Sequence, residues 1–353
     1  MKACCAPDSG RLMPPQCTRF LCLAVCLVLL VFGAGGCWLR GELLPDVPRV
    51  PARLTGHVLF TRKDGLEVLD LSTSRLDTLA TPPPGTRITS GRWSPSGDQI
   101  AYAVSPQEVG ARTQSTVFVA NNDGSAARSV VVAQSNAEFF QWPTWSPDGA
   151  SLYALKVDRG GARIERIDVA RGDGQVVVDR AGDFDVSRDG SLLAFTRNTD
   201  AGGTLSLVRL DDTRETRTLT STRPFQTIGG PRFSPDGRSV LFSLARAPEV
   251  EASAEASFRL AQALGIRRAF AHGLPQDIYS ISIDAGKGQS RSGEASAPRL
   301  LVRIGADDPV ATWSPDATRF AVLSVASLGI ARTGEPLTPV LAPGGYGSVD
   351  WAP

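Results

Sequence analysis

Short apolar runs separated by polar turns recur through most of the chain. Five of these runs each follow a polar segment, and they are Ile100 to Val104, Leu152 to Leu155, Leu192 to Phe195, Val240 to Leu244 and Phe320 to Leu323. Runs of this length, bounded by turn residues, indicate strands that are buried on both faces. Further strand-like segments joined by polar turns follow most of the runs, so the pattern predicts an all-β domain.

The turn before each run repeats one motif, an aromatic residue followed by Ser, Pro, Asp and Gly. The aromatic position is held by Trp93, Trp145, Val186, Phe233, Trp313 and Trp351. The turn ends in a glycine in four copies, Gly97, Gly149, Gly190 and Gly237. The aromatic positions lie 52, 41, 47, 80 and 38 residues apart. Four of these intervals fit a four-stranded repeat, and the interval of 80 residues contains an insertion.

Each part of the motif has a structural reason. A large ring at the end of an inner strand fills the wedge between neighbouring sheets, which assigns the repeated Trp residues to the core. Pro fixes φ at the start of the turn, while Asp-Gly provides a side-chain hydrogen bond and a residue with positive φ.

The motif and the apolar strand after it resemble the TolB-type propeller repeat over residues 56–353. The resemblance implies a six-bladed β-propeller. The N-terminal segments His57 to Thr61, Leu66 to Leu71 and Arg75 to Leu79 provide three outer strands, and Ser348 to Trp351 provides the missing inner one. Pairing them in one composite blade closes the ring and removes exposed sheet edges. TolB carries a further α/β domain before its propeller, whereas residues 38–55 here form a Pro-rich tether.

An insertion over residues 249–275 interrupts the fifth blade. From Glu249 to Leu264 it is rich in Ala and Glu, and apolar residues that include Phe258 and Leu264 recur at helical spacing. This predicts one amphipathic helix, which either packs on the rim of the ring or acts as a lid or partner-docking element. Phe258, Leu264 and His272 are therefore the candidate binding residues.

The N-terminal segment, residues 1–37, has the pattern of an export signal. Two arginines precede a 13-residue apolar run from Phe20 to Phe32, and small residues follow it up to Cys37. Residues 34–37 (AGGC) resemble a bacterial lipobox, which implies lipidation of Cys37, although Ala34 stands where Leu is usual. An uncleaved anchor is the alternative, because about 20 uncharged residues can span a bilayer. Both predict a membrane-tethered domain on the extracytoplasmic side of the cell envelope.

Composition and cysteine distribution exclude several kinds of site. The net charge of +1 gives no electrostatic reason to bind nucleic acid. All six cysteines lie in the first 37 residues, so the folded domain has no disulfide, thiolate metal site or cysteine nucleophile. No phosphate-binding loop, dinucleotide motif or hydrolase elbow is present. We therefore expect no catalytic set, no metal and no cofactor.

The remaining polar candidates favour structural roles. His57 and His272 lack the paired spacing of a metal site. Asp183, Asp185 and Asp189 cluster at one turn and could hold a calcium ion, but the last belongs to the repeated hairpin.

Three functions stay open. The favoured one is a scaffold that binds a protein or peptide. The others are a sensor that holds a sugar or metabolite in the central channel, and a propeller-type hydrolase or lyase.

Overall fold

A computed structural model describes residues 47–108, 114–222, 226–245, 275–284 and 297–353. The chain divides into two units, Met1–Pro45 and Asp46–Pro353, and all described residues lie in the second. Those residues form strands, turns and loops, and among them there is no helix long and apolar enough to cross a membrane. The lipidation candidate Cys37, the helix predicted within 249–275, and the candidates Phe258, Leu264 and His272 lie outside the described residues.

Twenty-four strands form six antiparallel four-stranded sheets in the described residues. We number the sheets as blades from the composite one. The strands of blades 1 to 3 are β1 (His57–Arg62), β2 (Gly65–Asp70), β3 (Arg75–Ala80), β4 (Thr86–Trp93), β5 (Gln99–Pro106), β6 (Thr116–Asn121), β7 (Arg128–Val132), β8 (Phe139–Trp145), β9 (Ser151–Asp158), β10 (Gly161–Asp168) and β11 (Gly174–Asp179).

The strands of blades 4 to 6 follow in chain order, and the last strand returns to blade 1. They are β12 (Phe184–Val186), β13 (Leu192–Thr199), β14 (Gly202–Arg209), β15 (Thr216–Ser221), β16 (Ile228–Phe233), β17 (Ser239–Ala245), β18 (Gln276–Ser282), β19 (Arg299–Ala306), β20 (Val310–Trp313), β21 (Phe320–Leu323), β22 (Leu328–Ala331), β23 (Thr338–Leu341) and β24 (Val349–Ala352).

The chain ends meet in blade 1, whose strand order is β24-β1-β2-β3. Val58 pairs with Trp351 and Phe60 with Val349 in an antiparallel ladder. The predicted composite blade is confirmed, and so is the six-bladed all-β fold. The inner strands β24, β4, β8, β12, β16 and β20 contact one another in cyclic order around the central channel.

The hydrophobic core of the described residues consists of six clusters, one between each pair of neighbouring blades. The cluster between blades 2 and 3 is typical, since it joins Val117 and Val119 of β6 to Phe140, Trp145 and Leu152. Each apolar strand after the turn motif therefore contacts two neighbours, and this is why its sequence does not alternate.

The Ser and Asp of the turn motif hold the hairpins of blades 3 to 6 by the same hydrogen bonds. In blade 5, the Ser234 hydroxyl donates to Asp236 over 2.5 Å and accepts the backbone N–H of Ser239 over 3.0 Å. Asp236 also accepts the N–H of Arg238 over 3.0 Å. The hydrogen bond from Ser234 lowers the pKa of the Asp236 carboxyl. Blades 3, 4 and 6 repeat this set.

The last residue of each turn takes a left-handed conformation. The φ angles are +75° at Gly97, +69° at Gly149, +71° at Gly190 and +69° at Gly237. Blade 6 has Ala317 at this position with φ +56°, so a Cβ occupies a conformation that costs L-residues about 1–2 kcal/mol.

The end of the segment assigned to the tether contacts the propeller. The N–H of Arg49 donates to the carbonyl of Val340 over 2.7 Å, and Leu54 is buried in the cluster between blades 6 and 1. Residues 49–54 thus lie against the closure of the ring.

Candidate functional site

A cavity of about 290 Å³ opens where the six inner strands end. Its wall contains the repeated aromatic positions Trp93, Trp145, Phe233, Trp313 and Trp351, together with the prolines of the turns. We call this cavity the channel mouth. It lies on the turn-motif side of the ring, because each inner strand runs directly into that motif.

The residue just before each aromatic position also lines the channel mouth. Around the ring from blade 1 these six residues are Asp350, Arg92, Thr144, Asp185, Arg232 and Thr312. The series Asp-Arg-Thr therefore occurs twice, with identical residue types on opposite blades. Two arginines and two aspartates give the ring a formal charge of zero. We call these six residues the channel ring.

Arg92 binds both carboxylates of the channel ring. Its guanidinium lies 2.7 Å from Asp185 Oδ1 and 3.2 Å from Asp350 Oδ1, so it links blade 2 to blades 4 and 1. Arg92 is only 9% exposed and Asp185 only 6%. Burial lowers the pKa of Arg92, but attraction to Asp185 and Asp350 outweighs it and raises that pKa above its ordinary value. Arg92 therefore stays protonated within the channel.

The second oxygen of each aspartate accepts a hydrogen bond from a backbone N–H group of a neighbouring blade. Asp350 Oδ2 accepts the N–H of Trp93 over 2.9 Å, and Asp185 Oδ2 accepts the N–H of Phe233 over 2.9 Å. Each aspartate thus fixes the aromatic position of the next blade.

Hydrogen bonds beneath the channel ring fasten the blades in a related way. Ser348 accepts the N–H of Gly91 over 2.7 Å, Ser90 accepts that of Trp142 over 2.9 Å, and Asp183 accepts that of Gly230 over 2.7 Å. Polar side chains inside the channel therefore serve largely to join neighbouring inner strands.

Arg232 has a different environment from Arg92 despite its equivalent place. It is 6% exposed, and its Nη1 donates to the carbonyl of Pro231 over 2.8 Å and, weakly, to that of Phe184 over 3.5 Å. Its Nε has no hydrogen-bond partner among the described residues. Burial, followed by repulsion from Arg92, lowers the pKa of Arg232 to about 10, so it is still a cation at neutral pH.

The repeated aromatic residues are both core and wall. Trp145, Phe233 and Trp351 are 6–8% exposed, whereas Trp93 and Trp313 are half-buried. The sequence pattern assigned these rings to the core alone, and that was incomplete, because the inner strands end at the channel mouth and leave part of each ring facing it. In the described residues, the indole N–H groups of Trp93, Trp145 and Trp313 have no hydrogen-bond partner.

The aspartates considered for calcium make separate contacts. Asp185 belongs to the channel ring, Asp183 holds Gly230, and Asp189 accepts the Ser187 hydroxyl over 2.6 Å in its hairpin. Within the described ranges, no three His, Cys, Asp or Glu side chains converge as a metal site would require. His57 is exposed at the start of β1, with Nδ1 at 3.1 Å from the carbonyl oxygen of Pro353.

Sequence reasoning missed the channel ring, although the repeat contains the signal for it. The position before the aromatic residue reads Arg92, Thr144, Asp185, Arg232, Thr312 and Asp350 along the chain. Aligning the six copies would have shown charged or hydroxyl residues at a position next to a buried ring.

No family model and no curated protein matches this sequence. Solved structures do match it. A putative TolB from Agrobacterium tumefaciens superposes with a TM-score of 0.52 at 16% identity, covering 88% of this chain and 92% of that one. This chain has the TolB-type six-bladed β-propeller fold.

Two other solved structures also match this chain. A chain from a nidogen/laminin complex superposes with a TM-score of 0.54 at 9% identity, covering 81% of this chain and 98% of that one. An oligogalacturonate lyase in complex with manganese matches with a TM-score of 0.47 at 14% identity, covering 76% of this chain and 68% of that one. At these identities, similarity to the TolB-type propeller extends to the fold and not to activity.

Proposed function

We propose that this protein is a membrane-tethered, extracytoplasmic scaffold that binds a protein or peptide at its channel mouth. Residues 1–37 supply the tether in this proposal, through lipidation of Cys37 or through an uncleaved anchor, and residues 38–55 connect it to the propeller. The cell envelope is the location that such a segment favours.

The observation that carries the proposal is the composition of the channel mouth. It combines exposed faces of Trp93 and Trp313 with the charged group Arg188 at its edge. Aromatic and arginine side chains are enriched where proteins bind other proteins. The carboxylates beneath are already engaged by Arg92 and by backbone N–H groups, which leaves them poorly suited to act as acid or base. Binding therefore fits the site better than hydrolysis or elimination.

The test is a pull-down of the tagged full chain from solubilised envelopes of its own organism. Arg188→Glu reverses an exposed charge at the mouth, and Arg87→Glu is the matched control, because Arg87 is exposed at the opposite end of an inner strand. We expect a stoichiometric protein partner with wild type and Arg87→Glu, and its loss with Arg188→Glu.

A third variant lacking residues 249–275 separates the mouth from the insertion. Loss of the partner with this variant alone would move the site to the insertion. Equal capture by all variants would contradict a site at the mouth, and capture of no partner would contradict the scaffold itself.

A small-ligand sensor is the second candidate, and the aromatic lining of the cavity favours it. A volume of about 290 Å³ is at the small end of ligand pockets, which are roughly 300–1,000 Å³. A thermal-shift screen with sugars and metabolites tests this reading. It predicts stabilisation by one compound that disappears in Trp313→Ala, and a flat screen would leave the scaffold as the only candidate.

A further inference from the structure

Every carboxylate oxygen of the channel ring already accepts a hydrogen bond. Asp350 and Asp185 together have four oxygens, and backbone N–H groups of Trp93 and Phe233 occupy one on each. Arg92 occupies the other two. Arg232, the second buried guanidinium of the same ring, donates no hydrogen bond to either aspartate, although Asp185, Asp350 and Asp183 lie near enough to attract it. The two equivalent arginines therefore differ in their partners.

Arg232 is therefore a buried cation whose hydrogen bonds go to carbonyl oxygens alone. A buried charge is costly unless an opposite charge and hydrogen bonds compensate it. The side chain lines the channel mouth, so a compensating anion has a route to it from solvent. Its lowered pKa of about 10 has the same origin, namely burial and the proximity of Arg92.

The other buried groups without a partner in this wall are also donors. In the described residues they are the indole N–H groups of Trp93, Trp145 and Trp313, and no wall carboxylate is among them. A sugar needs acceptors for its own hydroxyl protons, whereas a carboxylate is purely an acceptor. Indole and proline surfaces around the donors suit a small apolar group next to the carboxylate.

We infer that the channel mouth binds a peptide through a carboxylate that pairs with Arg232. This inference rests on the proposed function and names the chemical group that the ligand presents. A cavity of about 290 Å³ admits a chain end or one acidic side chain, while the rest of the partner stays outside. Arg–carboxylate pairs are charge-assisted and often bidentate, so the pair gives orientation as well as affinity.

Four of the six tryptophans of the chain line the cavity and provide a built-in probe. Intrinsic fluorescence of the full chain is measured during titration with acetyl-dialanine, which has a free C-terminal carboxylate, and with its amide. We expect a saturable change at millimolar concentrations with the acid and none with the amide. Acetyl-aspartyl amide, whose only carboxylate is a side chain, distinguishes the two peptide sources.

Substitutions of Arg232 test whether this residue binds the carboxylate. Arg232→Gln should weaken binding by about tenfold or more, since loss of one charge-assisted pair removes roughly that factor. Arg232→Lys keeps the charge without the planar fork and should lie between. Arg87→Gln, exposed at the opposite end of an inner strand, is the control and should bind like wild type.

Equal binding of acid and amide, or of wild type and both Arg232 variants, would overturn the inference, as would the absence of any saturable change. Stronger binding of glucuronate than of the peptide acids would assign the mouth to sugar acids and overturn it too. These results are independent of the envelope pull-down. If the titrations fail while Arg188→Glu still loses the partner in the pull-down, only the inference is contradicted. If the titrations succeed while the pull-down fails, only the proposed function is contradicted.

Discussion

Neutralising Asp185 tests whether the channel ring is held by its charges. Asp185→Asn keeps an oxygen that accepts the N–H of Phe233 but removes the negative charge 2.7 Å from Arg92. Breaking a buried ion pair by removing one partner costs about 3–5 kcal/mol. Arg92 retains Asp350 at 3.2 Å, so we expect the lower end, a loss of about 3 kcal/mol in the free energy of unfolding.

Urea denaturation followed by far-UV circular dichroism measures this loss. Asp189→Asn is the matched control, because Asp189 lies four residues further along but is exposed in its hairpin, and it should lose about 1 kcal/mol or less. A second change sharpens the test. Asp185→Asn leaves two buried arginines against one aspartate, so adding Arg232→Met should restore part of the stability.

Two outcomes would refute the reasoning. One is a loss in Asp185→Asn no larger than that in Asp189→Asn, which would mean that solvent screens the channel ring. The other is a double variant with Arg232→Met that is less stable than Asp185→Asn alone. Arg232 would then contribute stability of its own in the absence of a ligand, contrary to its unpaired Nε.

Three further predictions concern the turns and the tether. Ala317→Gly should stabilise the protein by up to about 1 kcal/mol, and Gly237→Ala, where an added Cβ meets no atom within 4 Å, should destabilise it by about as much in the same urea assay. The Ser314 hydroxyl lowers the pKa of Asp316 from 3.8 to about 2. The stabilisation that the ionised Asp316 provides is therefore complete above pH 3.8 and disappears as pH falls through 2. The difference in unfolding free energy between wild type and Asp316→Asn should shrink over that window. Cys37→Ser should release the protein from the membrane fraction if Cys37 is lipidated, and unchanged fractionation would favour the uncleaved anchor.

The blades were predictable because each is encoded locally. A turn of five residues and the apolar strand after it lie within about ten residues, so the sequence motif contains the hydrogen bonds and the φ angles that form the hairpin. The spacing of the motif also located the fourth blade, where Val186 stands in place of the aromatic residue. Closure of the ring followed from the same logic, since three strands at one end lacked an inner strand and the other end supplied it.

The channel ring was not predictable in this way, because its contacts join distant parts of the chain. Arg92 and Asp185 are 93 positions apart, and Arg92 and Asp350 are 258 apart. Which residue pairs with which depends on the closed geometry, and in particular on how many carboxylate oxygens the backbone uses. The same geometry brought the repeated tryptophans, which a local motif assigns to the core, to the wall of the mouth.

Formal charge is consequently a poor guide to what this mouth attracts. The two arginines and two aspartates of the channel ring sum to zero, yet the hydrogen bonds of both carboxylates go to one arginine and to backbone N–H groups. The channel ring therefore has no excess of charge, but the Arg232 guanidinium has more hydrogen-bond donors than acceptors around it. A ligand carboxylate would make the channel ring formally negative while giving the Arg232 guanidinium a charged acceptor. Local pairing, more than long-range attraction, would then select the ligand, so its affinity should depend strongly on Arg232.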